Sequence, residues 1–237
     1  MKVIVVTGGT RGIGAAIVNV LLKEGFKVIA TGRDVGAIRL ANKNENLEYH
    51  NLELDSQKSL GDFCKFLSTK EYLFGLVNNA GINRISEFEN IQSADFEEVL
   101  QVNLKSVFYL SQAVSNLFKD RGGRIVHIGS IWSVITKKGR VSYSTAKAAL
   151  SGLTRGMAVD LANRNILVNT VSPGFVETEL TKTSLSEKEI KELSEQIPMK
   201  RLAQPEEIAK LVGFLLSTQN TYLTGQNIVV DGGFSIV

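Results

Sequence analysis

Val3-Ile4-Val5-Val6-Thr7-Gly8-Gly9-Thr10-Arg11-Gly12-Ile13-Gly14 is the stretch that decides how this chain folds. A short unbroken apolar run leads into glycines, and a helical pattern over Ile13–Glu24 follows. Apolar runs without alternation suit strands covered by helices on both faces. Gly8, Gly12 and Gly14 keep a G-x-x-x-G-x-G spacing. Positions without side chains permit a tight turn and a close backbone approach to a pyrophosphate. The start of the next helix adds free N–H groups and the positive end of a dipole. Alone, such a loop could be an ordinary strand-to-helix turn. Between a first strand and an amphipathic helix it reads as a nucleotide loop, with Gly8, Thr10, Arg11, Gly12, Ile13 and Gly14 facing the ligand.

The same alternation continues along the chain. Val3–Thr7, Val28–Thr31, Leu47–Leu54, Leu73–Asn78, Arg124–Ile128, Ile166–Val171 and Asn227–Val230 read as strands. Helical patterns lie at Ile13–Glu24, Gln57–Ser68, Ser93–Lys119, Ser142–Arg164, Ser186–Gln196 and Pro205–Ser217. Ser186 with Glu189 makes a capping box, and Pro205 before Glu206 and Glu207 suits a helix start. Strands alternating with helices imply parallel pairing through right-handed crossovers. The expected fold is α/β, a doubly wound parallel sheet of about seven strands with helices on both faces. With 237 residues, three prolines and no linker tract, one domain over residues 1–237 is expected.

Composition narrows the function. The net charge of +3 comes from scattered basic residues, which does not indicate nucleic-acid binding. No apolar run approaches the ~20 residues of a membrane span. The only cysteine is Cys64, so no internal disulfide can form, which suits a reducing, cytoplasmic setting. His50 and His127 fall in expected strands without a partner at ligand spacing, so no metal is expected.

The end of the second strand reads the nucleotide. Binders of NAD place an acidic residue there for the ribose 2′-hydroxyl. This chain has Thr31-Gly32-Arg33-Asp34 instead. Arg11 and Arg33 lie where a 2′-phosphate would sit, so NADP(H) is expected, with Asp34 as the residue that could favour NAD(H). Tyr143 and Lys147 stand four residues apart, on one face if the segment is helical. A neighbouring ammonium favours the phenolate and so lowers a tyrosine pKa. Ser130 precedes that pair by 13 residues.

Together these motifs resemble the short-chain dehydrogenase/reductase family in its smaller single-domain, Rossmann-type form. The likeness runs through Thr7–Gly14, Asn78-Asn79-Ala80-Gly81, Asn103, Ser130, the Tyr143/Lys147 pair and Ser172-Pro173-Gly174-Phe175-Val176-Glu177-Thr178. It implies a catalytic set of Asn103, Ser130, Tyr143 and Lys147. It also implies Asp55 near the adenine, Asn79 and Gly81 beside the cofactor, and Val176 and Thr178 on the nicotinamide carboxamide. Asn103 would anchor a water linking Lys147 to solvent. Within the family the likeness is closest to 3-oxoacyl-[acyl-carrier-protein] reductases. Arg121 and Arg164 match arginines that flank the active-site entrance and engage acyl carrier protein. The resemblance also implies a homotetramer built on the long helices Ser93–Lys119 and Ser142–Arg164.

Trp132 and Phe88 depart from that pattern, and both are candidates for the substrate pocket. A small-molecule carbonyl is the expected substrate, beneath a lid at about residues 181–202. A keto-sugar or other secondary alcohol or ketone stays open as an alternative, as does a non-catalytic NADP-binding scaffold.

Overall fold

A computed structural model describes residues 1–237, apart from the side chains of Asp120, Leu180, Lys182 and Ser184. Strands β1 Val3–Val6, β2 Lys27–Gly32, β3 Leu47–Asn51, β4 Leu73–Asn78, β5 Gly123–Ile128, β6 Ile166–Pro173 and β7 Asn227–Val230 form one sheet in the order β3-β2-β1-β4-β5-β6-β7. Every neighbouring pair is parallel. The helices are α1 Gly12–Lys23, α2 Gly36–Ala41, α3 Gln57–Ser68, α4 Ser93–Leu100, α5 Ser106–Leu117, α6 Val141–Leu161, α7 Glu179–Ser184, α8 Glu187–Gln196 and α9 Pro205–Leu216.

The unbroken apolar runs have the covering they call for. Ile4 and Val6 pack with Ile17, Leu21, Ile208 and Val212 of α1 and α9. Val5 points the other way and packs with Leu60, Phe63, Leu110 and Val114 of α3 and α5. This is the two-residue period of a strand buried on both sides. Every residue of β4, β5 and β6 is buried. A fully buried Leu, Ile or Phe side chain contributes about 1.5–3 kcal/mol.

Some elements differ from the sequence reading. The continuous helix expected over Ser93–Lys119 is broken by a π-helical turn at Gln101–Lys105 and ends at Leu117. The strand expected to run to Leu54 stops at Asn51, because its only partner, β2, ends at Gly32. Helix α2 buries no residue, so it leaves no apolar period to read. The capping box at Ser186 and Glu189 forms as expected, with Glu189 accepting the Ser186 N–H.

Strand order reverses between β1 and β4, which opens a crevice beyond the carboxyl ends of the strands. That crevice holds the site. Among the described residues no helix is long and apolar enough to cross a membrane.

Candidate functional site

A cavity of roughly 1070 Å³ opens there, lined by the loops that follow β1, β2, β4, β5 and β6. Its floor is the glycine loop. A Cβ on Gly14 would stand 2.1 Å from the Gly8 carbonyl oxygen and 2.6 Å from Asn79 Nδ2, so the backbone is closer here than any side chain allows. Gly12 adopts φ +54°, a left-handed conformation suited to glycine. Arg11 stands at the N-cap of α1 without a capping hydrogen bond from its side chain. Thr7 ties this loop to the next one. Its hydroxyl accepts from Asn79 N–H (3.0 Å) and Ala80 N–H (3.1 Å). Asn79 Nδ2 donates back to the carbonyls of Thr7 (2.9 Å) and Gly8 (3.1 Å). The sequence reading gave Thr7 no role beyond its place in the motif.

Gly8, Thr10, Arg11, Gly12, Ile13, Gly14, Thr31, Arg33, Asp55, Asn79, Gly81, Val176 and Thr178 all line the cavity. Arg11 and Arg33 are exposed at its edge, and neither has an ion pair among the described residues. Asp34 is not part of the lining; its Oδ1 accepts the Gly36 N–H (3.1 Å) at the start of α2. Side-chain-free backbone, a helix start without a capping side chain and two unpaired arginines fit a dinucleotide with a phosphate on its adenine ribose.

Ser130, Tyr143 and Lys147 line the same cavity. Helix α6 buries Ser142, Ala146, Lys147, Leu150, Thr154 and Ala158, a stripe that seats its first turns on the sheet. Lys147 is 4% exposed, and its ammonium donates to the Ile128 carbonyl at 2.7 Å. Burial lowers its pKa to about 8. The expectation that Lys147 acidifies Tyr143 is not met. Burial pushes the phenol above its ordinary value, and the opposing influences are a hydrogen bond with Ser130 and the charge of Arg140. Lys147 lies 5.6 Å from the centre of the Tyr143 ring, with its ammonium held by the carbonyl. Ser130 accepts the Trp132 N–H (3.3 Å), which leaves its own hydroxyl proton for another acceptor.

Asn103 sits in the π-turn, fully buried and outside the cavity lining. Its Oδ1 accepts the Ile82 N–H (2.9 Å) and its Nδ2 donates to the Ile82 carbonyl (2.7 Å). A Cβ on Gly81 would meet Asn103 Oδ1 at 3.0 Å and Lys147 Nζ at 3.6 Å, so Asn103 fixes the loop that passes Lys147. His127 lies behind it on β5, 3.0 Å from Asn78 Nδ2. Burial, and then the charge of Lys147, lower its pKa to about 3.

The substrate side brings two corrections. Phe88 is 71% exposed and does not line the cavity; Ile85 does. Arg121 and Arg164 do not flank the cavity of their own chain. They precede β5 and β6, whereas the cavity lies beyond the far ends of those strands, ~20 Å away for a six-residue strand. Arg121 donates to the Glu71 carbonyl (2.8 Å), and Arg164 donates to the Ser115 carbonyl (2.9 Å). Trp132 does line the cavity, edge-on to Phe175 at 6.0 Å. Lys137, Arg140 and Phe175 join it, three residues the sequence reading missed. Lone basic residues in a loop carry no periodic signal, and only the fold shows which way they face.

Comparisons with known proteins agree with this geometry. The family described as Enoyl-(Acyl carrier protein) reductase matches residues 8–235. The 3-oxoacyl-[acyl-carrier-protein] reductase of Aquifex aeolicus is 42% identical, covering 98% of this chain and 96% of that protein. Its counterpart from Vibrio cholerae is 37% identical, covering 100% and 98%. Among solved structures, a putative NAD(P)-dependent gluconate 5-dehydrogenase from Beutenbergia cavernae with bound NADP superposes with a TM-score of 0.91 at 32% identity, covering 98% and 96%. A gluconate 5-dehydrogenase from Burkholderia cenocepacia, in complex with NADP and tartrate, superposes with a TM-score of 0.92 at 26% identity, covering 100% and 96%.

Proposed function

We propose that this chain, which belongs to the short-chain dehydrogenase/reductase family, reduces a ketone to a secondary alcohol with NADPH, and that the ketone is a 3-oxoacyl group on acyl carrier protein. The observation that carries this reading is that Ser130, Tyr143 and Lys147 line one cavity together with the glycine loop.

Bound NADPH supplies the hydride. Reduction builds negative charge on the carbonyl oxygen, and the protein must place that oxygen and stabilise the charge. The Ser130 hydroxyl donates to it. Tyr143 delivers the proton that completes the alcohol. A phenol raised by burial is fully protonated at neutral pH, the form an acid needs in the reducing direction. Lys147, with a pKa of about 8, stays mostly charged at neutral pH and holds the nicotinamide ribose. Asn103 acts as a positioning residue, and we assign it the water that resupplies the proton through Lys147. Arg11 and Arg33 take the 2′-phosphate, Asp55 borders the adenine, and Val176 and Thr178 hold the carboxamide.

The segment at 181–202 serves as the substrate lid. It holds α8 and the end of α7, residues of both line the cavity, and a bridge between Val176 and Ala203 closes the stretch that contains it. We further assign a homotetramer. Phe108 (43%), Tyr109 (49%) and Val159 (80%) are exposed on α5 and α6. Cβ atoms on Gly152 and Gly156 would meet nothing within 4 Å, so that face of α6 is smooth enough for close packing. In such an assembly Arg121 and Arg164 serve a carrier docked on a neighbouring subunit.

A second reading is reduction of a keto-sugar. Its support is Trp132 beside Ser130, a bulky flat wall in the pocket, and the likeness to gluconate 5-dehydrogenases. NADPH oxidation with acetoacetyl thioesters, keto-sugars and simple ketones separates the readings. The thioesters are expected to be the fastest. Faster turnover of keto-sugars favours the second reading, and a clear preference for NADH removes the assignment of Arg11 and Arg33.

A further inference from the structure

Besides Arg11 and Arg33, two more positive charges in the cavity have no counter-charge among the described residues. Arg140 is the N-cap residue of α6, three positions before Tyr143, and its guanidinium lies 5.9 Å from the centre of the Trp132 ring. Lys137 Nζ lies 5.6 Å from the same ring. Both residues line the cavity together with Trp132. Among the described residues, neither side chain makes a hydrogen bond or an ion pair, and Arg140 Nε is buried without any partner. Three carboxylates on the lining are engaged elsewhere. Glu98 binds Arg84 at 2.8 Å, Glu189 binds Ser186, and Glu192 lies 3.8 Å from Lys188.

A guanidinium donor withdrawn from water without an acceptor is costly. The Trp132 ring supplies no hydrogen-bond acceptor, so the N–H edge of the guanidinium has none among the described residues. That edge is a planar fork of donors, which matches a carboxylate.

We propose that Arg140 and Lys137, set against Trp132, form an anion subsite that receives a carboxylate of the substrate close to the reacting carbonyl. The inference rests on the second reading, reduction at Tyr143 of a ketone not carried as a thioester, and narrows that substrate to an oxo compound with a carboxylate of its own. Arg140 stands three positions before Tyr143 and lines the same cavity, which places the carboxylate on the Tyr143 side of it. A carboxylate bound there neutralises the charge that a neutral ketone leaves exposed.

Trp132 is the only tryptophan in the chain, so its fluorescence reports this subsite alone. Protein saturated with NADP+ is titrated with tartrate and, separately, with threitol, its neutral four-carbon analogue. Tartrate is expected to give a saturable change and threitol none. Arg140→Gln should weaken tartrate binding about tenfold or more, and Arg140→Lys should keep most of it. The idea is overturned by an equal response to threitol, by unchanged tartrate binding in Arg140→Gln, or by no saturation below about 50 mM.

Turnover provides a second arm. The ratio of kcat/KM for acetoacetate to that for ethyl acetoacetate should fall about tenfold or more in Arg140→Gln. An unchanged ratio contradicts the subsite. Tartrate binding that depends on Arg140, without reduction of any ketone, would leave the subsite standing and remove the proposed reaction.

Discussion

At the scale of single residues, burial outweighs sequence neighbours in setting the chemistry of the site. Lys147 is held at a pKa of about 8 against an ordinary 10.5 because it is enclosed, with only a carbonyl as partner. An unfolded chain takes up that proton between the two values, so stability rises with pH across the window. Tyr143 opposes this only above its ordinary value of 10.0, because its folded pKa is raised. The nucleotide-free protein should therefore become more resistant to urea between about pH 8 and pH 10, and Lys147→Met should flatten that rise. A variant with the same slope as the unaltered chain would show that Lys147 is solvated.

The Y-x-x-x-K spacing placed both side chains on one helix face, and α6 confirms that placement. The electrostatic consequence was not legible, because spacing says nothing of where an ammonium points. Lys147 turns toward the Ile128 carbonyl, which belongs to a strand 19 residues away in sequence. The residues that do lower the phenol pKa, Ser130 and Arg140, precede it in a loop with no period to read.

At the scale of elements, the glycine loop is the part most constrained by close contact. Gly14→Ala would place a methyl group against the Gly8 carbonyl and force the loop off β1. Its NADPH dissociation constant should rise more than ~10-fold, while far-ultraviolet circular dichroism stays close to that of the unaltered chain. Unaltered binding would mean the loop does not hold the nucleotide. Arg33→Gln should weaken NADPH and leave NADH nearly unchanged. Equal effects on both would move the 2′-phosphate elsewhere.

Long apolar runs and paired caps made the elements legible, since burial on both sheet faces demands them. The break at Gln101–Lys105 was not legible, because a π-turn keeps the apolar period and adds only one residue to the turn. Helix α2 was invisible for the opposite reason, as none of its side chains is buried.

At the scale of the whole molecule, strand order reverses once, and every nucleotide-side candidate falls on the crevice that reversal creates. Motif order along the chain was enough to place them. It was not enough for Arg121 and Arg164, which lie at the wrong end of their own sheet. If neighbouring subunits cover α5 and α6, light scattering at micromolar concentration should give a mass well above one chain, and Val159→Glu should reduce it. A monomer in the unaltered protein would remove the tetramer.

The most direct test is single-turnover NADPH oxidation with an acetoacetyl thioester, in the unaltered protein and in Tyr143→Phe. The substitution keeps the ring and deletes the proton, so the rate should fall at least ~10²-fold while NADPH still binds. Turnover within a few-fold of the unaltered protein would show that some other group protonates the carbonyl oxygen.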